Sequence, residues 1–222
     1  AMAIGPKLKW IKSNIVDKFY LVLFFAISIV LSFLIVKKFS TNLLINTILV
    51  SSALYLFFIT LRDFFIRKYS NISQNIAHFG FSLLILSILL NNLFSSEIIT
   101  NLKVGETFTS SKTKIVFKSI NQKQEKNYKS IIANFSIENI NEKIEDLSPE
   151  LRIYNQPNIV TSEADIKTTL LSDKFIVINI VQNQDYFNVR YQVKPFMLWI
   201  WISVILISFG GLLSFFKKEH EK

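Results

Sequence analysis

The chain alternates between two hydropathy regimes. Three apolar runs come early, FYLVLFFAISIVLSFLIV (19–36), LLINTILVSSALYLFFIT (43–60) and IAHFGFSLLILSILLNNLF (76–94), and a fourth, FMLWIWISVILISFGGLLSFF (196–216), comes near the end. None contains Lys, Arg, Asp or Glu. Crossing a bilayer takes about 20 apolar helical residues, because lipid offers the backbone no hydrogen-bond partner and a helix satisfies its own. Each run is long enough with modest tilt, so the pattern predicts four transmembrane helices.

Between the third and fourth runs the period changes. TFTSSKTKIVFKSI (107–120), NYKSIIANFSIENI (127–140), KFIVINIVQN (174–183) and YFNVRYQVK (186–194) alternate apolar with polar residues and are rich in Ile, Val, Phe and Tyr, which predicts strands. SPELRIYNQPN (148–158), with two prolines, reads as a loop, and SEADIKTTLL (162–171), with Asp165 three residues after Ser162, reads as a helix start. The expected fold class is an integral membrane α-helical protein with an extracytoplasmic, mainly β domain inserted between helices 3 and 4. Its expected parts are a membrane region over 1–94, a β domain over 95–195, and a fourth span with a basic cytoplasmic tail over 196–222.

Half the residues are hydrophobic and 14% are aromatic, more apolar and more clustered than an ordinary soluble domain. Charge then sets an expected orientation, because positive residues flanking short loops stay inside while a long domain translocates largely regardless of charge. Lys7, Lys9, Lys12 and Lys18, then Arg62, Arg67 and Lys68, then Lys217, Lys218 and Lys222 fall on one side. Lys37 and Lys38 fall on the other, where the β domain also hangs. The net charge of +9 does not describe a nucleic-acid binder. Residues 95–195 hold 13 Lys and Arg against 12 Asp and Glu, so the surplus is membrane-flank lysine.

Without cysteine, the β domain has neither disulfide nor thiol chemistry and must stand on a hydrophobic core. The opening AMAIGPKLKW lacks a signal-peptide pattern and reads as cut from something longer, with AMAIGP the end of a preceding span broken at Gly5 and Pro6. No glycine-rich phosphate loop, HExxH or paired His/Cys spacing occurs. Acidic neighbours such as Glu145 and Asp146 are expected to be solvated.

One ionisable group interrupts the third run: His78. The other histidine, His220, sits in the charged tail and is expected to be solvent-exposed. An ionisable residue inside a span is costly to place and by default signals function, although an imidazole can also bond a neighbouring helix as polar glue. At helical spacing, Ala77, Gly80, Ser87 and Asn91 share one stripe, suited to close helix packing, while Asn75, His78 and Ser82 share nearly the opposite one. The fourth run carries its own small-residue stripe, Ser203, Gly210 and Ser214, and Trp199 and Trp201 as expected interface anchors. A neutral imidazole in a dry helical site is a common iron ligand, and helix bundles hold haem between facing histidines. With one membrane histidine the chain offers one axial ligand, so a second would come from elsewhere.

GPKLKW near the start, LRDFF after the second run, IAHFG in the third, RIYNQPNIVTSEADI in the β region and VKPFMLWIWISVILISFGGLLS at the end resemble, in the same order, the C-terminal third of the CcmF family of cytochrome c-type biogenesis proteins. The resemblance implies a component of a cytochrome c haem lyase, which with its partners attaches haem covalently to the CxxCH cysteines of apocytochrome c outside the membrane. It also implies a membrane b-type haem held by two histidines and reduced by quinol. The histidine of IAHFG matches one of those ligands, so the resemblance assigns His78 a haem-iron-binding role. Asn75 or Ser82 would then orient its second nitrogen. The tryptophan-rich haem-handling segment, its flanking histidines and the second haem ligand belong to the family's N-terminal part. The resemblance therefore places no catalytic residue here, and this chain is not expected to be catalytic alone. LRIYNQ departs from the family's more basic stretch, and no substrate contact is assigned to it.

The partners implied are the N-terminal portion of the same protein or a split-gene counterpart, other cytochrome c maturation proteins, apocytochrome c, haem and quinol. The implied location is a bacterial inner membrane with 95–195 periplasmic, or a mitochondrial inner membrane. An alternative from a different class is a non-enzymatic membrane-anchored docking scaffold, with His78 as packing glue. A transporter is less consistent, since no span is broken mid-membrane by paired Gly and Pro and none carries a midplane acid.

Overall fold

A computed structural model describes residues 15–39, 42–66, 72–140, 143–181 and 185–220. AMAIGPKLKW with Lys7, Lys9 and Lys12, together with Arg67, Lys68 and Lys222, lies outside the described residues, as do the side chains of Lys18, Lys217, Lys218 and His220. The chain divides into two compact units, one of residues 1–94 with 195–222 and one of residues 95–194.

The first unit holds α1 (Ile15–Phe39), α2 (Leu43–Ile66), α3 (Ile72–Phe94) and α4 (Met197–His220). All four are long and apolar enough to cross a membrane, and at most 28% of any spanning window is buried within the chain. Large apolar side chains therefore point outward along every helix, as lipid or further helices require. Aromatic pairs join α1 to α2, with Phe24 stacked on Phe58 at 5.9 Å and Phe25 edge-on to Tyr55 at 5.6 Å. Val36, Val50, Ala53, Leu54 and Leu86 form the small shared core of α1, α2 and α3.

Glycine decides how α3 and α4 meet. A Cβ on Gly80 would stand 3.0 Å from the Ser203 carbonyl oxygen and the Ile207 nitrogen, and one on Gly210 would stand 2.7 Å from the Ala77 nitrogen. Each helix thus presents a bare backbone to the other, the close approach that small residues allow in membranes. The small-residue stripes on both helices do what their spacing predicts, except that Ser214 is exposed. Where the chain re-enters this unit, Phe196 takes a φ of 62°, uncommon for a bulky residue. Asn91 of α3 donates its side-chain amide to the Pro195 carbonyl, and the Phe94 and Phe196 rings meet at 6.3 Å, which holds the corner in place.

The second unit is two packed sheets. The four-stranded one runs β1 (Ser96–Leu102), β10 (Phe187–Pro195), β9 (Ser172–Ile180), β8 (Asp165–Thr168). The other runs β2 (Thr107–Thr109), β3 (Thr113–Gln124), β4 (Tyr128–Asn139), β6 (Glu150–Asn155), β7 (Asn158–Glu163), with β5 (Glu145–Leu147) also on β4. Alternation fills the space between them: Ile115 and Phe117 from β3, Ala133, Phe135 and Ile137 from β4, Ile176 and Ile178 from β9, and Val189 and Tyr191 from β10 are all essentially inaccessible. Phe117 stacks on Phe135 at 4.4 Å.

Four details correct the sequence reading. The expected loop at 148–158 contains a strand, because its prolines punctuate β6 instead of breaking it: Pro149 is buried and its carbonyl accepts from Ala133, and Pro157 sits in the tight turn to β7. The expected helix at 162–171 is β7, β8 and the turn beyond; Ser162 donates to Asn179 of β9, and Asp165 accepts the Ser148 N–H at 2.6 Å, so both reach across strands and neither caps a helix. SEIITNL, not expected as a strand, is β1, which pairs antiparallel with β10 from Ser96 opposite Val193 to Leu102 opposite Phe187. Asp146 is solvated, but Glu145 is largely buried and accepts from Lys174 at 3.0 Å, a lysine only 5% exposed. An inward lysine needs such a partner, and β5 supplies it.

Candidate functional site on the third helix

Helix α3 meets neighbours on two sides. Toward α2, the Ser82 and Thr60 hydroxyls bond at 2.6 Å, the Asn75 amide donates to the Asp63 carbonyl at 3.2 Å, and the Phe79 ring lies 5.7 Å from Phe57 and 5.5 Å from Phe64. Toward α4, Gly80 and Ala77 meet the backbone and Gly210. At about 100° per residue these two sides lie nearly opposite each other, so α2, α3 and α4 form a row.

His78 stands at the edge of that row. It lies within about 60° of Asn75 and Ser82 but on the outer side of both, on the face shared with Gln74, Phe81, Ile85 and Ile88. Gln74, Phe81 and Ile88 are exposed and His78 itself is half-buried. Among the described residues its imidazole has no hydrogen-bond partner. The partners expected for its second nitrogen are turned to α2 instead: Ser82 bonds Thr60 and donates to the Phe79 carbonyl, and Asn75 donates to Asp63. Thr60 and the Asp63 carbonyl were not legible as their partners. The polar Thr60 at the end of an apolar run was the available signal.

Among the described residues no cluster of three or more His, Cys, Asp or Glu side chains could hold a metal by itself. What the geometry offers is one imidazole on an apolar helix face, without a hydrogen bond among the described residues and within electrostatic reach of Asp63. That donor set fits one axial position of a haem iron, with Phe81, Ile85 and Ile88 suited to the apolar edge of a porphyrin. A separate cavity lined by Phe39, Asn46, Leu49, Val50, Leu89, Asn92 and Leu93 begins about 16 Å further along α3. It contains no titratable group.

Residues 93–195 match the family described as "CcmF C-terminal beta-sandwich", and the two packed sheets over that range are such a sandwich. That stretch, 93–195, carries the CcmF C-terminal domain. Its match to a CcmF of Escherichia coli K12, a cytochrome c-type biogenesis protein, is 22% identical over 230 aligned residues and takes in the whole of this chain but 36% of that protein. A Pseudomonas fluorescens CcmF is 27% identical over 66% of this chain and 22% of its own length. The biogenesis protein NrfE of Haemophilus influenzae is 24% identical over 79% of this chain and 28% of its own. The solved structure titled "Cytochrome c Heme Lyase CcmF" shares the fold at a TM-score of 0.69, with 17% identity, covering 95% of this chain and 37% of that one. This chain thus spans between about a fifth and a little over a third of its CcmF relatives, and it corresponds to their C-terminal part. With four helices long and apolar enough to cross a bilayer it is a multi-pass membrane protein, similar over this length to cytochrome c-type biogenesis proteins.

Proposed function

We propose that this chain is the C-terminal portion of a membrane haem lyase for cytochrome c maturation, in which His78 supplies one axial ligand to a b-type haem. The observation that carries this is an imidazole without a hydrogen bond among the described residues, on the more exposed face of α3. The second ligand comes from outside the chain, in the N-terminal portion of the protein or a split-gene counterpart. When bound, the haem supplies one-electron chemistry, fed by quinol, that keeps the haem iron destined for apocytochrome c reduced. The chain's own part is to hold the iron at His78 Nε2 and to exclude water with Phe81, Ile85 and Ile88. The β domain, 95–195, lies on the outer side, periplasmic in a bacterial inner membrane, and docks other maturation proteins or apocytochrome c. Lys37 and Lys38 at the outer end of α1 and Arg62 at the inner end of α2 fit that orientation.

The scaffold alternative uses His78 as glue between helices. That role is already filled by the Ser82–Thr60 pair and the two glycines, while His78 bonds nothing described. The test is a reduced-minus-oxidised spectrum of the chain joined to its N-terminal portion. A low-spin b-type signal lost in His78→Ala, with the protein still assembled, is the expected result. An unchanged spectrum and haem content in His78→Ala would overturn the assignment.

A further inference from the structure

The two ends of the β sandwich differ in chemistry. At one end lie the NQKQEKNYK turn between β3 and β4 (121–129) and the Asn155–Gln156–Pro157–Asn158 turn between β6 and β7, almost all exposed polar residues. At the other lie Ile140, Ile144, Leu170 and Leu171, with 61%, 64%, 71% and 67% of their surfaces exposed. Ser96, Lys112, Thr113, Asn139, Ile140, Ser172, Lys174 and Val193 line one shared hollow at this apolar end. It is also the end that carries the domain's first and last strand residues, where the chain continues into α3 and α4.

The β8–β9 turn is the sharpest feature there. Thr169 and Ser172 close it from both sides: the Thr169 N–H and Oγ1–H donate to the Ser172 carbonyl at 2.9 and 2.8 Å, and the Ser172 N–H donates to Thr169 Oγ1 at 3.1 Å. Leu170 and Leu171 fill the two central positions, which in tight turns belong to Gly, Asn or Asp. Their side chains are the two most exposed large apolar ones of the domain. A rigid turn holding two leucines in the open is built to meet an apolar phase.

We propose that the Leu170–Leu171 turn, with Ile140 and Ile144 beside it, inserts into the outer lipid leaflet and pins this end of the β domain to the membrane surface. Lipid is the occupant because both chain ends beside the turn run directly into membrane helices, with only Ser95 between α3 and β1. Exposed Lys112 and Lys143 border the patch and suit headgroup phosphates; of the carboxylates nearby, Glu145 is turned inward onto Lys174, Asp173 has its Oδ1 buried, and exposed Glu138 lies 4.0 Å from Lys114. Apolar side chains of interfacial elements sink about 5–10 Å into the headgroup and acyl boundary, within reach of two leucines on a hairpin. The proposal needs only that the helices span the membrane; it does not depend on haem at His78.

The chain has no cysteine, so single labelling sites are available without removing any. The whole chain would be reconstituted in vesicles of phosphatidylethanolamine and phosphatidylglycerol, spin-labelled at Leu170→Cys, at Leu171→Cys, or at Lys126→Cys on the opposite end. Collisions with oxygen and with a water-soluble nickel chelate are then compared. The expected result is a several-fold higher oxygen-to-nickel ratio at 170 and 171 than at 126, lost when Ile140 and Ile144 are both changed to Asp. Equal ratios at all three positions would overturn the proposal. So would shielding at 170 that appears only when a partner protein or a second copy is added.

Discussion

The helical unit and the β domain meet the same requirement, burial of apolar side chains, by opposite means. In the β domain, Ile115, Phe117, Ala133, Phe135, Leu151, Ile176, Ile178 and Val189 are completely inaccessible, and the chain covers its own core. In the helical unit most large apolar side chains face outward, and what joins the helices is backbone approach at two glycines and a few hydroxyl and ring contacts. Water drives the first arrangement through the hydrophobic effect; in lipid that drive is absent between helices, so close packing and polar bonds take over. Core volume therefore limits stability in one unit and surface fit limits it in the other.

The largest expected effect tests the first half of that contrast. Phe117 is buried and stacked on Phe135, so Phe117→Ala leaves a cavity and should cost about 3–5 kcal/mol, much of a small domain's stability. Protease should then cut within 95–194 under conditions where the parent chain resists, while the helical circular dichroism signal in detergent stays in place. If helices and strands were lost together in one transition, the two units would not be the separate stability problems described above.

Next in size is an effect confined to fit. Gly210→Leu would drive a side chain into the Ala77 backbone, an overpacking that costs about 1–3 kcal/mol where neighbours cannot yield. Its neighbour Gly211 meets nothing within 4 Å, so Gly211→Leu adds a similar apolar group without a clash. Thermal denaturation in detergent should separate the pair, with the 210 variant destabilised and the 211 variant close to the parent. Equal losses in both would mean that helix propensity or detergent contact, and not the α3–α4 approach, limits this unit.

What was legible in the sequence follows the same division. A membrane helix must be long, apolar and uncharged, so all four were read directly, and only their ends moved: α1 continues through Lys37 and Lys38 to Phe39, and α2 through Arg62 and Asp63 to Ile66. Strands with strict alternation were read too. β1, β5, β6, β7 and β8 were not, because short strands and strands beside prolines carry little local signal, and β1 is specified by β10 far along the chain. His78 was conspicuous as one ionisable group in an apolar run. Its surroundings were not, because which face of α3 stays open depends on where Gly80 and Ser82 find their partners, and those lie on other helices.

The smallest prediction concerns the polar link between α2 and α3 that His78 does not join. The Thr60–Ser82 pair lies between α2 and α3, and each hydroxyl also returns a bond to its own helix, Thr60 to the Leu56 and Phe57 carbonyls and Ser82 to the Phe79 carbonyl. Removing one partner therefore leaves the other partly satisfied, and hydrogen bonds between membrane helices average only about 0.6 kcal/mol in such measurements. A double-mutant cycle of Thr60→Val and Ser82→Ala should give a coupling of about that size, well below the cost of Gly210→Leu. A coupling of several kcal/mol would make this pair, not the glycines, the main fastening of the helical unit. It would also change the reading of α3, because a helix anchored chiefly at Ser82 could rotate about that point and carry His78 toward α2.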